Sequence, residues 1–333
     1  MRVLVTGGAG YIGSHAVKAL RERGHAPVVV DNLSRGHRAA VPRDVRLYEL
    51  DVRQTDELTS VLREERIDCV LHFAALAYVG ESVEQPLLYY QNNTAGTLSL
   101  LRAMQAAGVH RVVFSSTCAT YGEPPSVPIV ESMPQQPINP YGWSKLFSER
   151  MLIDQGAADR TFAFAALRYF NVAGAAADGS LGEHHEPETH LIPVILQAAL
   201  GRRRAVTIFG EDYPTPDGTC VRDYIHVEDL VDAHLLVMQR LEPGDARVYN
   251  LGIGQGYSVR QILEAARAVV DRPFEIERGP RRAGDPPELY ADASRIEREL
   301  GWRAGRRDIE EIIGSAWRWF RDHPDGYPRA ATR

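Results

Sequence analysis

The stretch Val3-Leu4-Val5-Thr6-Gly7-Gly8-Ala9-Gly10-Tyr11-Ile12-Gly13 decides how this chain folds. Arg2 to Thr6 is a short run with β-branched residues, and beyond the glycines an apolar period continues through Ala16, Val17 and Leu20 to Arg23. That order predicts a strand, a tight glycine turn and a helix. Glycine suits places where the backbone turns sharply or approaches a pyrophosphate, and the helix amides beyond it offer partial positive charge to the anion. The spacing of Gly7, Gly10 and Gly13 alone is equally compatible with a simple strand-to-helix turn. Asp31 decides between the two, because it ends the next apolar run, Val28-Val29-Val30. A carboxylate there accepts the ribose hydroxyls of NAD and repels the 2′-phosphate of NADP. Asp51-Val52 ends the third run, where a carboxylate reaches an adenine edge or caps a helix before Glu57.

Working outward, five apolar runs follow the first: Pro27 to Asp31, Arg46 to Leu50, Cys69 to Phe73, Arg111 to Ser115 and Ala163 to Tyr169, each separated by helix-length segments. Strands alternating with helices imply an α/β fold, a Rossmann-type, doubly wound parallel sheet with right-handed crossovers. Long helices are expected over Gln85 to Ala107 and Tyr141 to Gln155. After Asn171 the pattern loosens, with Gly, Pro, His and Glu crowding Gly174 to Pro193. The expected division is therefore 1–175 for the cofactor domain and 176–330 for a smaller C-terminal α/β substrate domain, with some segments returning to the first. Helices are expected there over Leu191 to Leu200 and Ser258 to Val270, with turns at Pro214 to Gly218 and Pro280 to Pro287.

Composition bounds the function. The chain has 333 residues, 44% hydrophobic and 25% charged, which suits an ordinary globular protein with a large core. A net charge of −6 argues against a nucleic-acid footprint, and Arg202-Arg203-Arg204 is better read as a solvated helix end or a phosphate contact. Cys69, Cys118 and Cys220 form no Cys-x-x-Cys pair, which fits free thiols in a reducing cytoplasm. Val3-Leu4-Val5 is too short for a signal peptide or a membrane span.

The second informative stretch is Asn139-Pro140-Tyr141-Gly142-Trp143-Ser144-Lys145. Asn139 suits an N-cap and Pro140 the first helical position, which puts Tyr141 in the first turn and Lys145 on its face one turn later. Lys145 is then expected to hold its ammonium near the phenol, aided by the positive helix N-terminus. Moving a phenol from about 10 to about 7 takes roughly 4 kcal/mol, which one cation about 4 Å away supplies at an effective dielectric near 20. The bland alternative is a half-buried tyrosine with Lys145 paired to Glu149.

With the glycine loop, the strand end Ser115-Ser116-Thr117, and Tyr141 with Lys145, the chain resembles the extended short-chain dehydrogenase/reductases. Within them it is most similar to the UDP-glucose (UDP-galactose) 4-epimerases. The resemblance rests on Val5 to His15, Asp31-Asn32-Leu33, Val79-Gly80-Glu81-Ser82, Leu167-Arg168-Tyr169-Phe170-Asn171, Gly218 to Val227, Arg281-Arg282-Ala283-Gly284-Asp285 and Ala291-Asp292, which together span nearly the whole chain.

The resemblance implies that Tyr141 takes the proton from the hydroxyl at sugar carbon 4 while hydride passes to enzyme-held NAD. Lys145 would bind the nicotinamide ribose and Thr117 would hold the same sugar oxygen, although a strand-end hydroxyl also bonds readily to its own backbone. Beside Gly7, Gly10, Gly13, Asp31 and Asp51, it implies that Tyr11, Ile12, Asn32, Leu33, Ser34, Gly36, Val52, Phe73, Ala74, Ala75, Asn92 and Phe170 surround the cofactor. Asn171, His190, Leu191, Thr207, Phe209, Arg222, Arg282, Asp285 and Leu289 would surround the UDP-sugar, with arginine forks matching diphosphate oxygens. A homodimer through the helices near 90–107 and 141–155 is implied in the same way.

Three departures stand out. Ala77 replaces a lysine that some relatives carry near the cofactor. His190 replaces a frequent Asn, and His184, His185 and His190 suggest a metal; Pro187 breaks any regular zinc-binding helix there, so a polar loop and no metal are expected. Leu289 stands where relatives restricted to plain hexoses carry a bulky Tyr, which leaves room for a 2-acetamido group and for UDP-GlcNAc or UDP-GalNAc, provided that Leu289 and not Tyr290 faces the sugar. Two enzymatic rivals are an epimerase for UDP-glucuronate or a UDP-pentose, and a nucleotide-sugar 4,6-dehydratase. The dehydratase needs an acid/base pair after the strand-end threonine, where this chain has Cys118-Ala119. A non-catalytic NAD-binding sensor would be expected to lack Tyr141 or Lys145.

Overall fold

The computed structural model describes residues 1–282 and 285–328, so Ala283 and Gly284 of the Arg281–Asp285 motif lie outside the described residues. The first half runs β1 (Arg2–Thr6), α1 (Tyr11–Glu22), β2 (Ala26–Asp31), β3 (Arg46–Glu49), α2 (Thr55–Glu64), β4 (Cys69–His72), α3 (Val79–Glu84), α4 (Pro86–Tyr89), α5 (Ala95–Ala107), β5 (Arg111–Thr117), α6 (Pro140–Ala158) and β6 (Ala163–Tyr169). The second runs β7 (Asn171–Ala173), α7 (Leu191–Ala199), β8 (Val206–Phe209), β9 (Val221–Arg222), β10 (Tyr224–His226), α8 (Val227–Arg240), β11 (Ala246–Leu251), β12 (Tyr257–Ser258), α9 (Val259–Val269), β13 (Ile276–Gly279), β14 (Glu288–Leu289), α10 (Ser294–Leu300) and α11 (Ile309–Asp322).

Seven strands form one sheet in the order β11-β6-β5-β4-β1-β2-β3, and every pair in it is parallel. A parallel sheet must be covered on both faces, which is why its strands are continuously apolar. One core lies on the α1 and α8 side, around Val3, Val5, Leu20, Leu71, Leu230 and Tyr249. The other lies on the α2, α5 and α6 side, around Leu4, Leu58, Val70, Met104, Phe114 and Leu152. Burying each such side chain stabilises the fold by roughly 1.5–3 kcal/mol. The chain runs outward from β1 through β2 to β3, then restarts at β4 on the other side of β1. This reversal opens a crevice at the carboxyl ends of β1 and β4, where α/β sheets bind their ligands.

One feature differs from expectation. The helix expected over Gln85 to Ala107 is interrupted by a π-helical segment at Tyr90–Thr94. The Asn93 side-chain amide within it accepts from the Leu76 backbone N–H, donates to the Leu76 carbonyl and also donates to Ser144 of α6 at 3.0 Å, so the widened turn is tied to both neighbours. After β7 pairs with β10, the chain passes through α8 and adds β11 to the edge of the large sheet beside β6. A further core gathers Leu196, Ile208, Ile262, Ile313 and Trp319 beneath α7, α9 and α11. No helix among the described residues is long and apolar enough to cross a membrane.

Candidate active site

A cavity of about 980 Å³ runs from the glycine turn, across the carboxyl ends of β4, β5 and β6, to the strands and loops of the second half. That is the upper end of the range for small-molecule sites, with room for two extended nucleotides end to end. The fold brings Gly7, Gly10, Tyr11, Ile12, Gly13, Asp31, Asn32, Ser34, Gly36, Val52, Phe73, Ala74, Ala75 and Asn92 to its walls. Gly7 has φ +71°, and a Cβ there would lie 2.7 Å from the Ala74 nitrogen, so only glycine lets the turn pass this close to the end of β4. Asp31 is buried at the end of β2; Oδ2 accepts from Ala9 N at 2.9 Å and Oδ1 from Leu33 N at 2.8 Å. Each oxygen keeps a lone pair for a ribose hydroxyl. Burial raises its carboxyl, and the two backbone donors act in the opposite direction.

Two residues expected at the cofactor are not on these walls. Leu33 adopts φ +56° and packs against the core beside α1. Asp51 turns to Arg53 at 2.7 Å and accepts from Asn32 at 3.0 Å, and the Arg53 guanidinium holds its carboxyl down at about 2. It does not cap α2 either, since Gln54 is the N-cap there. Its effect on the site is indirect, through Asn32.

On the opposite wall Asn139 accepts from Gly142 N at 2.8 Å and Pro140 opens α6, as expected. A Cβ on Gly142 would come within 2.5 Å of the Ala119 carbonyl, so the first turn of α6 sits directly against the end of β5. This contact places the Tyr141 phenol beside the Thr117 hydroxyl, whose influence lowers the phenol's pKa. Thr117 also accepts from Ala119 N at 3.1 Å, so its bond to the local backbone and its place beside the phenol coexist.

The Lys145 Nζ donates to the Ser115 carbonyl at 2.7 Å and lies 4.9 Å above the Phe114 ring. Burial, followed by Tyr169, pushes the Tyr141 phenol well above its ordinary value. Burial also drives Lys145 down to about 7, against the pull of Glu149. Desolvation thus outweighs the other influences on both groups in the protein alone. The bland pairing with Glu149 is not formed as a bond: that carboxylate accepts from Arg168 at 2.6 Å, with Ser116 also on it, which locks α6 to β5 and β6.

The far end of the cavity gathers Phe170, Asn171, His190, Leu191, Thr207, Phe209, Arg222, Arg282, Asp285 and Leu289. Arg222 lies 3.7 Å from Asp285, and the Arg282 guanidinium stacks 4.3 Å over the Phe209 ring. Leu289 is buried beside Tyr121, Ile129 and Phe170, whereas Tyr290 is not on the wall, so the register turns Leu289 and not Tyr290 toward the cavity.

Sequence reasoning missed Arg35, Tyr78, Glu183 and Glu188, and named His185 and Arg203 without placing them here; all six are on the cavity wall. Arg203 was legible only as part of a basic run; its neighbours Arg202 and Arg204 pair outward with Asp325 and Glu277. The loop expected to be merely polar is more organised than that. Glu183, His185, Glu188 and His190 converge, while His184 leaves the group and stacks on His37 at 4.5 Å. Burial opposes charge on both convergent imidazoles, but Glu183 and Glu188 outweigh it and raise His185 to about 9 and His190 to about 10.

A glycine turn at a switch point, an acidic β2 end, and a Thr, Tyr and Lys facing the same crevice define a nicotinamide-dependent dehydrogenase-type site. The NAD dependent epimerase/dehydratase family model matches residues 3–252, and the chain belongs to that family. It is 50% identical over 330 residues to the UDP-glucose 4-epimerase of Lacticaseibacillus casei, covering 98% of this chain and 99% of the relative. Among solved structures it is similar to the UDP-glucose 4-epimerase of Bifidobacterium longum in complex with NAD+ and UDP, with a TM-score of 0.94, 41% identity and coverage of 98% and 100%. The UDP-Glc/GlcNAc 4-epimerase of Campylobacter jejuni is similar at a TM-score of 0.83 and 42% identity, with coverage of 96% and 99%. NAD is the cofactor, and the Gly7 turn and the buried Asp31 fit its pyrophosphate and ribose.

Proposed function

We propose that this chain interconverts UDP-glucose and UDP-galactose by epimerisation at carbon 4. The observation that carries the reading is the continuity of one cavity from the glycine turn, past Thr117, Tyr141 and Lys145, to Arg222 and Arg282. In this reading Tyr141 removes the proton from the carbon 4 hydroxyl and returns it, Thr117 holds that oxygen, and Lys145 binds the nicotinamide ribose. NAD, when bound, supplies the acceptor that takes the hydride from carbon 4 and gives it back, together with a positive charge beside the phenol. The 4-keto sugar must turn over between the two transfers, which suits a sugar held mainly through its diphosphate by arginines. The residues after Thr117 oppose dehydration: Ala119 has no acid, and burial raises the Cys118 thiol to about 12. Neither can protonate a leaving hydroxyl.

Leu289 leaves space beside carbon 2, so UDP-GlcNAc and UDP-GalNAc are proposed as further substrates. The relatives' assigned names and the Campylobacter protein's dual naming support the two halves of this reading. The three cysteines are free thiols, which supports a cytosolic setting. A homodimer is proposed through α4, α5 and α6, where Leu87, Leu98, Trp143, Phe147 and Ile153 are exposed together.

The test is to incubate the purified protein, without added NAD, with UDP-galactose, UDP-N-acetylgalactosamine and UDP-glucuronate separately and identify the products. The carbon 4 epimer is expected from the first two. No UDP-glucose from UDP-galactose would overturn the assignment, and no turnover of the N-acetylated sugar would overturn the role given to Leu289.

A further inference from the structure

The loop before α7 holds a side-chain cluster that the epimerisation chemistry does not use. Glu183, His185, Glu188 and His190 each turn one donor atom inward, and these atoms all lie within 4.8 Å of one another. Both imidazoles present the same nitrogen. His185 Nδ1 is 3.2 Å from Glu183 Oε1 and 3.4 Å from Glu188 Oε2; His190 Nδ1 is 3.0 Å from Glu183 Oε1 and 2.9 Å from Glu188 Oε1. Tetrahedral zinc with ligands at ~2.0–2.1 Å has ligand-to-ligand edges of about 3.3 Å, and these four contacts span that length.

Hydrogen bonding alone leaves the cluster incomplete. The Glu188 side chain is 1% exposed, and its Oε2 faces His185 Nδ1 at 3.4 Å with no hydrogen bond of good geometry to either atom. Buried polar atoms left this way are costly unless an ion satisfies them. The nearby cations do not: Arg203 donates to the Glu188 backbone carbonyl at 2.5 Å and Arg35 to the Glu186 carbonyl at 2.9 Å. Tyr11 and Tyr78 stand edge-on to His185 with ring centroids 6.4 and 5.9 Å away, which fixes the plane of that imidazole.

We propose that Glu183, His185, Glu188 and His190 form a structural site for a divalent transition metal, with zinc as the best fit. Binding releases the imidazole protons to solvent; two carboxylates and two neutral imidazoles then carry a charge of −2, which one divalent ion neutralises, and a mixed N/O set of four protein ligands closes the coordination as structural zinc sites do. All four ligands come from one short loop that ends at the first residue of α7. The ion would therefore brace this loop between Tyr11 at the glycine turn and Leu191 at the sugar end of the cavity, rather than enter the reaction.

The experiment uses the full chain stripped with a chelator and dialysed, then titrated calorimetrically with Zn2+, with Co2+ as a spectroscopic probe. One Zn2+ per chain, a rise in melting temperature with Zn2+, and the visible bands of tetrahedral Co2+ are expected. His185→Ala and Glu188→Gln should each weaken Zn2+ binding at least tenfold, while His110→Ala, a surface histidine, should leave it unchanged. If His185→Ala does not fold, Glu188→Gln decides. Zn2+ binding that is absent, or equal in wild type and Glu188→Gln, would overturn the proposal.

Discussion

Lys145 is buried against its own chemistry, beside a half-buried Tyr141. Lys145 is 3% exposed with its ammonium on a backbone carbonyl, and burial lowers it to about 7 from an ordinary value near 10.4. The sign follows from linkage. Between about 7 and 10.4 the unfolded chain binds the lysine proton and the folded chain does not, so stability rises with pH across that window and the penalty is largest below it. Replacing Lys145 with Met removes the penalty and loses one hydrogen bond to Ser115. Lys145→Met is therefore expected to unfold about 1–3 kcal/mol harder than wild type at pH 6.5, with a smaller difference at pH 9, while losing turnover. Urea unfolding of the NAD-free proteins at both pH values checks this, and a less stable variant at pH 6.5 would contradict it. On the expected result the lysine is an example of stability given up for function.

At the scale of elements, the glycine turn, the cap of α6 and the strands of the large sheet were legible because each rests on local rules. Strand periodicity, the Asn139-Pro140 start and the acidic end of β2 are decided within a few residues. What was not legible depends on contacts far apart in the chain. The π-helical turn at Tyr90–Thr94 follows from Asn93 reaching Leu76 and Ser144, and which segment rejoins the large sheet, β11, follows from its pairing with β6. α6 shows both kinds. Its buried face was anticipated from Tyr141 and Lys145, but Trp143 and Phe147, with ring centroids 5.6 Å apart, lie on an exposed apolar face that spacing alone does not separate from core. If that face is the dimer contact, Trp143→Asp with Phe147→Asp should convert a dimer to a monomer by light scattering while leaving each chain folded. An unchanged mass would place the contact elsewhere.

At the scale of the whole molecule, the reversal of strand order at β1 and β4 puts the cofactor end of the cavity in the first half of the chain and the arginines in the second. The nucleotide-sugar end was legible only through the resemblance, because Phe209, Arg222 and Leu289 sit on short strands whose register no periodicity fixes. Leu289 and Tyr290 were distinguished by the pairing of Leu289 with Arg222. Convergence of the Glu183–His190 loop was hidden for a similar reason: its spacing fits no regular helix, and only the folded loop turns both histidines the same way.

The central claim is that Tyr141 moves the proton at carbon 4 in a site that returns the hydride it takes. The most direct measurement compares wild type and Tyr141→Phe for conversion of UDP-galactose to UDP-glucose, alongside the NAD content of each purified protein. Loss of a general base of this kind costs roughly 10²–10⁴-fold in rate, so turnover should fall by at least a hundredfold while NAD remains bound. Turnover within tenfold of wild type, with NAD bound, would contradict the assignment of the base.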